Sequence, residues 1–234
     1  MSRPIAIITG SGRGIGRATA LELARTRGYG VVVTGRTRVE VEQTAAEAGE
    51  ALAIVADVSS AAGCATVIER ALAWRGRIDA LVNNAGYAPV LSLEQTTDAE
   101  LDRVIQTNFS AAFRLSRACW PLFREQRHGV IVHVSSAAAR DPLEGFHAYG
   151  AAKAALNTLT ISMAREGAAH GIRVHAVAPG ATETRMFRAI ADERAWPRDK
   201  TLAPDDVAKV IAACVCGDLK YTSGEVIYVQ RIVS

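Results

Sequence analysis

Seven short runs of nearly continuous apolar residues, spread over the whole chain, constrain this sequence more than any other feature. Residues 5–9, 31–35, 51–56, 80–83, 130–135, 173–178 and 226–229 read as strands. Their apolar residues do not alternate with polar ones, so both faces of each strand must be covered. The intervening stretches, at about 14–27, 39–48, 61–74, 98–126, 148–170 and 205–216, carry helical spacing. Thr97-Asp98, ahead of Ala99-Glu100-Leu101, reads as a helix cap. Strand and helix in alternation demand βαβ crossovers, hence a doubly wound parallel sheet with helices on both faces. A chain of 234 residues accommodates this as one α/β domain, 1–234, with no repeat or low-complexity linker to divide it. Residues 179–203 are the exception to compactness, and about 180–203 reads as a mobile lid.

Composition narrows the partners. Lys plus Arg number 27 and Asp plus Glu 24, and the resulting net charge of +3 is too small to imply nucleic acid or an anionic membrane surface. The longest apolar run, 210–216, has seven residues, whereas a spanning helix needs about 20. Met1-Ser2-Arg3-Pro4 leads straight into a strand-like run, unlike a secretory signal. Cys64, Cys119, Cys214 and Cys216 lack metal-ligand spacing and are too few for a disulfide framework. The expectation is a cytoplasmic protein with reduced thiols and no metal.

In such a sheet, ligands bind beyond the carboxyl ends of the strands, where the strand order reverses. The segment Thr9-Gly10-Ser11-Gly12-Arg13-Gly14-Ile15-Gly16 stands there, between the first strand and the first helix. Gly10 permits a tight turn, Gly14 lets backbone approach a pyrophosphate, and Gly16 allows close helix–strand packing, while the helix N-terminus offers free N–H groups. A tight connection with no ligand would explain isolated glycines, but not this strand–turn–helix context. The second strand ends in Thr34-Gly35-Arg36-Thr37, with no acid to read a ribose 2′-hydroxyl. Arg36, with Arg13 from the other side, suits a 2′-phosphate instead, favouring NADP over NAD.

Tyr149 and Lys153 are four residues apart in a helical stretch and share a face. A tyrosine pKa of about 10 is too high for neutral acid–base work. Making phenolate accessible takes about 3–4 kcal/mol, which a nearby ammonium and a positive nicotinamide ring can supply. Alone, the pair would be an ordinary helix contact. Ser136 stands thirteen residues earlier at a strand end, Asn108 lies in a long helix, and Asn83-Asn84-Ala85-Gly86 closes the fourth strand.

Together these residues resemble the short-chain dehydrogenase/reductase family over nearly the whole chain. They comprise 9–16, Asp57-Val58, 83–86, Asn108, Ser136, Tyr149/Lys153, Pro179-Gly180 and Thr184. The resemblance implies a three-layer α/β/α Rossmann-like fold with seven strands in the order 3-2-1-4-5-6-7. It implies Tyr149 as general acid, Lys153 holding the nicotinamide ribose and lowering the tyrosine pKa, and Ser136 polarising the carbonyl. Asn108 would anchor a water feeding a proton relay. The cofactor contacts it implies are Gly10, Ser11, Arg13, Gly14, Ile15, Gly16, Arg36, Asp57, Val58, Asn84, Ala85, Gly86, Pro179, Gly180, Thr182 and Thr184, with Tyr149 and Lys153. Asp57 would read the adenine amino group, Asn84 the adenosine and Thr184 the carboxamide. The family also implies a homo-oligomer, a dimer or tetramer, formed through helices 98–126 and 148–170.

Some positions depart from the family pattern. His133 stands where an asparagine is usual and reads as a packed strand residue. The chain ends Gln230-Arg231-Ile232-Val233-Ser234 in place of the usual Asp-Gly-Gly continuation. Substrate contacts are expected from Ser136, Tyr149, His147, Met186 and Phe187, with 87–93, 138–147 and Trp196 lining a mainly apolar pocket. Arg124 and Arg127 lie roughly where relatives hold an acidic carrier protein, with His170 replacing another basic residue. The expected activity is NADPH-dependent reduction of a ketone or 3-oxoacyl-type carbonyl, or the reverse oxidation by NADP⁺. A non-catalytic NADP-binding sensor or partner subunit of the same fold is the alternative.

Overall fold

The computed structural model describes residues 3–231, so Ile232–Ser234 of the unusual C-terminus fall outside the described residues. β1 (Ile5–Thr9), β2 (Gly30–Gly35), β3 (Ala51–Val55), β4 (Ala80–Asn83), β5 (Gly129–Val134), β6 (Ile172–Pro179) and β7 (Val226–Val229) form one sheet. Its order is β3-β2-β1-β4-β5-β6-β7, and every neighbouring pair is parallel. The expected fold class and strand order are therefore observed. The order reverses between β1 and β4, where Ile8 pairs with Val33 on one side and Val82 on the other.

The continuous apolar runs are explained by the two faces. Ala6, Ile8, Val31 and Val33 pack under α1 (Gly14–Arg25), α2 (Arg38–Ala48) and α8 (Pro204–Cys216). Ile5, Ile7, Val32 and Leu81 pack under α3 (Ala61–Arg75), α5 (Ala111–Gln126) and α6 (His147–Gly167). Neighbours in one strand thus enter opposite cores, and Ile5, Ile7 and Ile8 are all at most 1% exposed. Burial of such a side chain contributes about 1.5–3 kcal/mol.

The stretch read as one helix over 98–126 is interrupted. α4 (Asp98–Ile105), with Thr97 Oγ1 accepting from Glu100 N, gives way to a π-turn at Gln106–Ser110 before α5. Asn108 sits in that turn and its amide donates to Val104 O at 2.9 Å. A side chain bonding the carbonyl four residues back widens the helix, and such bulges concentrate at functional sites.

Residues 180–203, expected as a mobile loop, are internally organised. They contain α7 (Arg185–Arg188), a 3-10 turn at Arg198–Lys200 and a bridge between Thr182 and Leu202. Glu183 holds the segment together, accepting from Arg188 Nε at 2.8 Å and from Thr201 Oγ1 at 3.3 Å, with Arg198 at 3.5 Å. Among the described residues, no helix is long and apolar enough to cross a membrane.

Candidate active site

A cleft of about 460 Å³ runs along the carboxyl edge of the sheet, from the glycine turn through Asp57 and residues 84–87 to Ser136, Tyr149, Lys153 and the lid. Its floor is the glycine turn. Gly10 has φ +64°, and a Cβ there would lie 2.9 Å from Ala85 Cα. Gly14 has φ +57° and faces the Thr184 methyl. A side chain at either would be strained and would fill the cradle, which is the condition a pyrophosphate at a helix N-terminus imposes. A Cβ on Gly16 would run into the Asn84 amide and the Gly10 carbonyl. The residues present therefore fit a dinucleotide.

Two residues expected to contact the cofactor also hydrogen-bond within the fold. Ser11 is fully buried; its hydroxyl donates to Ile8 O at 2.6 Å and accepts from Thr34 N at 3.0 Å. It fastens the turn to β1 and β2 and does not line the cleft. Asn84 lines the cleft, but its side-chain amide donates inward, to Thr9 O at 2.8 Å and Gly10 O at 3.2 Å. It braces the turn from β4 and leaves no amide proton for adenosine. Ile15, Val58, Ala85, Gly86, Pro179, Gly180, Thr182 and Thr184 line the cleft as expected.

Arg13 and Arg36 both line the cleft, and no acid stands at the end of β2. Arg13 is paired with Glu40, 3.3 Å from each oxygen. Burial raises the Asp57 pKa, but hydrogen bonds from Ser59 and the nearby Arg36 and Arg103 outweigh it and keep the acid ionised below its usual range.

At the centre, α6 places Tyr149 and Lys153 one turn apart. The Lys153 Nζ lies 5.6 Å from the Tyr149 ring centroid and donates to Val134 O at 2.8 Å. Ser136, just beyond β5, accepts from Ala138 N at 3.1 Å and lines the cleft together with Tyr149. Lys153 is 3% exposed, and burial holds its pKa down at about 8. Burial also raises the Tyr149 pKa, against a smaller lowering by Ser136. The expected depression of the tyrosine by the lysine is not found, because the ammonium is directed at a carbonyl and desolvation dominates.

Asn108 lies behind the cleft wall. Its Nδ2 donates to Tyr87 O at 2.7 Å and its Oδ1 accepts from Tyr87 N at 3.2 Å. A Cβ on Gly86 would lie 3.2 Å from that Oδ1 and 3.9 Å from Lys153 Nζ, so only glycine leaves the space between them open. His133 is fully buried, its Nδ1 3.2 Å from Asn83 Nδ2, and burial followed by the Lys153 charge pushes its pKa down to about 3. It is the packed residue expected.

The lid brings Met186, Phe187 and Trp196 to the cleft, the last two edge to face at 5.9 Å. Of the wider lining expected, Tyr87, Ala88, Ala138, Asp141, Leu143 and Phe146 take part. His147 does not: it is exposed at the first position of α6 and is not part of the cleft lining. Arg124 and Arg127 end α5 beside the start of β5, and His170 precedes β6, so all three occupy the opposite edge of the sheet. Sequence reasoning missed Glu40, Arg103, Arg185 and Gln230, which also line the cleft. Arg103 stacks on Tyr87, 4.0 Å from its centroid.

A glycine cradle at the switch point of a doubly wound sheet, adjoining a tyrosine, a lysine and a serine, defines a dinucleotide-dependent oxidoreductase of the carbonyl–alcohol type. The comparisons agree. Residues 4–195 match the model of the short chain dehydrogenases, and the chain belongs to this short-chain dehydrogenase/reductase family. It is 34% identical over 233 residues, 97% of this chain and 95% of the relative, to 3-oxoacyl-[acyl-carrier-protein] reductase of Escherichia coli (strain K12). It is 40% identical over 183 residues, 78% of this chain and 71% of the relative, to 2,3-dihydro-2,3-dihydroxybenzoate dehydrogenase of the same organism. Among solved structures, the 3-ketoacyl-(acyl-carrier-protein) reductase from Brucella melitensis complexed with NADH superposes with a TM-score of 0.91 at 32% identity, covering 97% of this chain and 96% of that one.

Proposed function

We propose that this protein is an NADPH-dependent carbonyl reductase, acting on a ketone or 3-oxoacyl-type carbonyl or on the corresponding alcohol in reverse. The observation that carries the reading is the convergence of Ser136, Tyr149 and Lys153, with Lys153 Nζ 5.6 Å from the Tyr149 ring centroid, on the same cleft that Arg13 and Arg36 line. The glycine turn, Asp57 and residues 85–86 and 179–184 would hold the dinucleotide, with the two arginines toward the 2′-phosphate. When bound, NADPH supplies the hydride.

This chain's own residues supply the proton and the grip. Tyr149, its pKa raised by burial, is kept as the phenol, the form that donates a proton to the oxygen of a carbonyl being reduced. Ser136 holds that oxygen by a hydrogen bond as charge develops. Lys153 is anchored at Val134 O beside the ring, and Asn108 fixes the Gly86–Tyr87 wall across from it. The substrate end is mainly apolar, which suits a hydrophobic ketone or acyl chain better than a sugar phosphate. The residue set, 1–234, is one catalytic domain with 180–203 as its lid. We further propose a cytoplasmic homo-oligomer: all four cysteines are unpaired thiols, and α5 and α6 expose Phe113 and Ile161.

The test is NADPH and NADH consumption with a panel of diketones, quinones and 3-oxoacyl thioesters. Tyr149→Phe is expected to lower turnover by about 10²–10⁴ while NADPH affinity stays within a few-fold. Retained turnover removes the acid assignment, and cofactor binding without turnover on any substrate favours a non-catalytic binding protein. Arg36→Asp is expected to erode the NADPH preference; an unchanged preference means the phosphate is held elsewhere.

A further inference from the structure

Two guanidiniums, those of Arg13 and Arg185, share one carboxylate in the cleft, and a third, that of Arg36, lines the same cleft. Arg185 opens α7 on the lid, and its Nη2 donates to Glu40 Oε1 at 3.0 Å, across 145 residues of sequence. Arg13 reaches the same carboxylate from the glycine turn, and Arg36 lies close by at the end of β2. The backbone and Cβ of residue 40 are held against the glycine turn, since a Cβ on Gly12 would lie 2.9 Å from Glu40 Cβ. The two arginine side chains are freer, 51% exposed for Arg13 and 65% for Arg185. Arg13, Arg36 and Arg185 thus outnumber the acids Glu40 and Asp57 there, and Glu40 is carried on an anchored helix turn.

We propose that Arg185 is a third, lid-borne determinant of specificity for a 2′-phosphate, and that Glu40 is the resident anion the phosphate displaces from Arg13 and Arg185. This rests on the reading of NADPH as cofactor. A phosphate monoester carries nearly two charges and accepts several charge-assisted hydrogen bonds, so it competes with a carboxylate for the same donors. A neutral 2′-hydroxyl does not. Glu40 thus lowers affinity for the phosphorylated dinucleotide and leaves the other untouched, while its bridge to Arg185 holds α7 beside the turn until the cofactor arrives.

The test is equilibrium titration of the full chain with NADPH and with NADH in the absence of substrate, followed by tryptophan quenching and nicotinamide fluorescence. Circular dichroism confirms that each variant is folded. Arg185→Met is expected to weaken NADPH about fivefold, about 1 kcal/mol, with NADH unchanged. Glu40→Gln is expected to tighten NADPH by a similar factor, again with NADH unchanged. Equal shifts for both cofactors make the pair a lid strut only and overturn the proposal. Weaker NADH binding in Glu40→Gln alone assigns the carboxylate to a ribose hydroxyl and also overturns it. Wild-type protein that binds NADH as tightly as NADPH overturns the cofactor reading itself. A wild-type NADPH preference left unmoved by both variants overturns this inference alone.

Discussion

Lys153 places a nearly fully buried ammonium against the Val134 carbonyl. Its pKa is held at about 8, below the ordinary lysine value of 10.5. The unfolded chain therefore binds this proton more tightly than the folded one, and the charge costs stability at every pH below 8. That cost fades as pH rises from 8 to 10.5, where the folded lysine is already neutral. Lys153→Met is expected to inactivate the enzyme and to raise Tm at pH 7 by about 2–4 °C, equivalent to about 1 kcal/mol. The difference from wild type should narrow across pH 8–10.5 in thermal melts. A destabilised Lys153→Met at pH 7 would show that the carbonyl contact outweighs the desolvation. The four-residue spacing of Tyr149 and Lys153 was legible in the sequence because a helix repeats its faces at that interval. The direction in which Ser11 and Asn84 aim their polar atoms was not. Either residue can serve a ligand or the backbone, and the choice depends on Thr34 N and Thr9 O, which are remote in sequence.

At the scale of elements, the lid is set by ion pairs rather than by an apolar face. Glu183 gathers Arg188, Arg198 and Thr201, while Arg185 ties α7 to α2. Such a segment opens without disturbing the sheet, since few of its side chains are buried. Glu183→Gln is expected to speed tryptic cleavage within 185–198 severalfold while leaving the melting temperature of the sheet nearly unchanged. Equal cleavage rates in the two proteins would show that the lid is fastened elsewhere. The strands and most helices were legible because apolar runs and helical periodicity record burial directly. The π-turn at Gln106–Ser110 was not, because it arises from Asn108 bonding Val104 and the Tyr87 backbone, a tertiary contact with no local pattern. The lid's order was hidden for the same reason: Glu183 meets Thr201 only after the chain has turned back.

For the whole molecule, the outer faces of α5 and α6 carry the proposal of self-association. Phe113 is 42% exposed and Ile161 39%. Along the two helices expected to form the interface, Ala111, Ala112 and Ala152 are buried within the chain, whereas Ala151 is exposed. Light scattering on the purified protein is expected to give a dimer or tetramer, and Phe113→Glu combined with Ile161→Glu a folded monomer. A monomeric wild type would refute the assembly. The placement of β1 at the middle of the sheet has a consequence for biosynthesis. β1 is translated before the other six strands of the sheet and becomes the template on which β2 and β3 assemble to one side, and it must keep its other edge bare until β4 is translated. Its nucleotide-cradling turn is complete only after Asn84 has emerged to brace it. A nascent chain arrested before that residue would therefore have a half-built sheet and no stable seat for a dinucleotide.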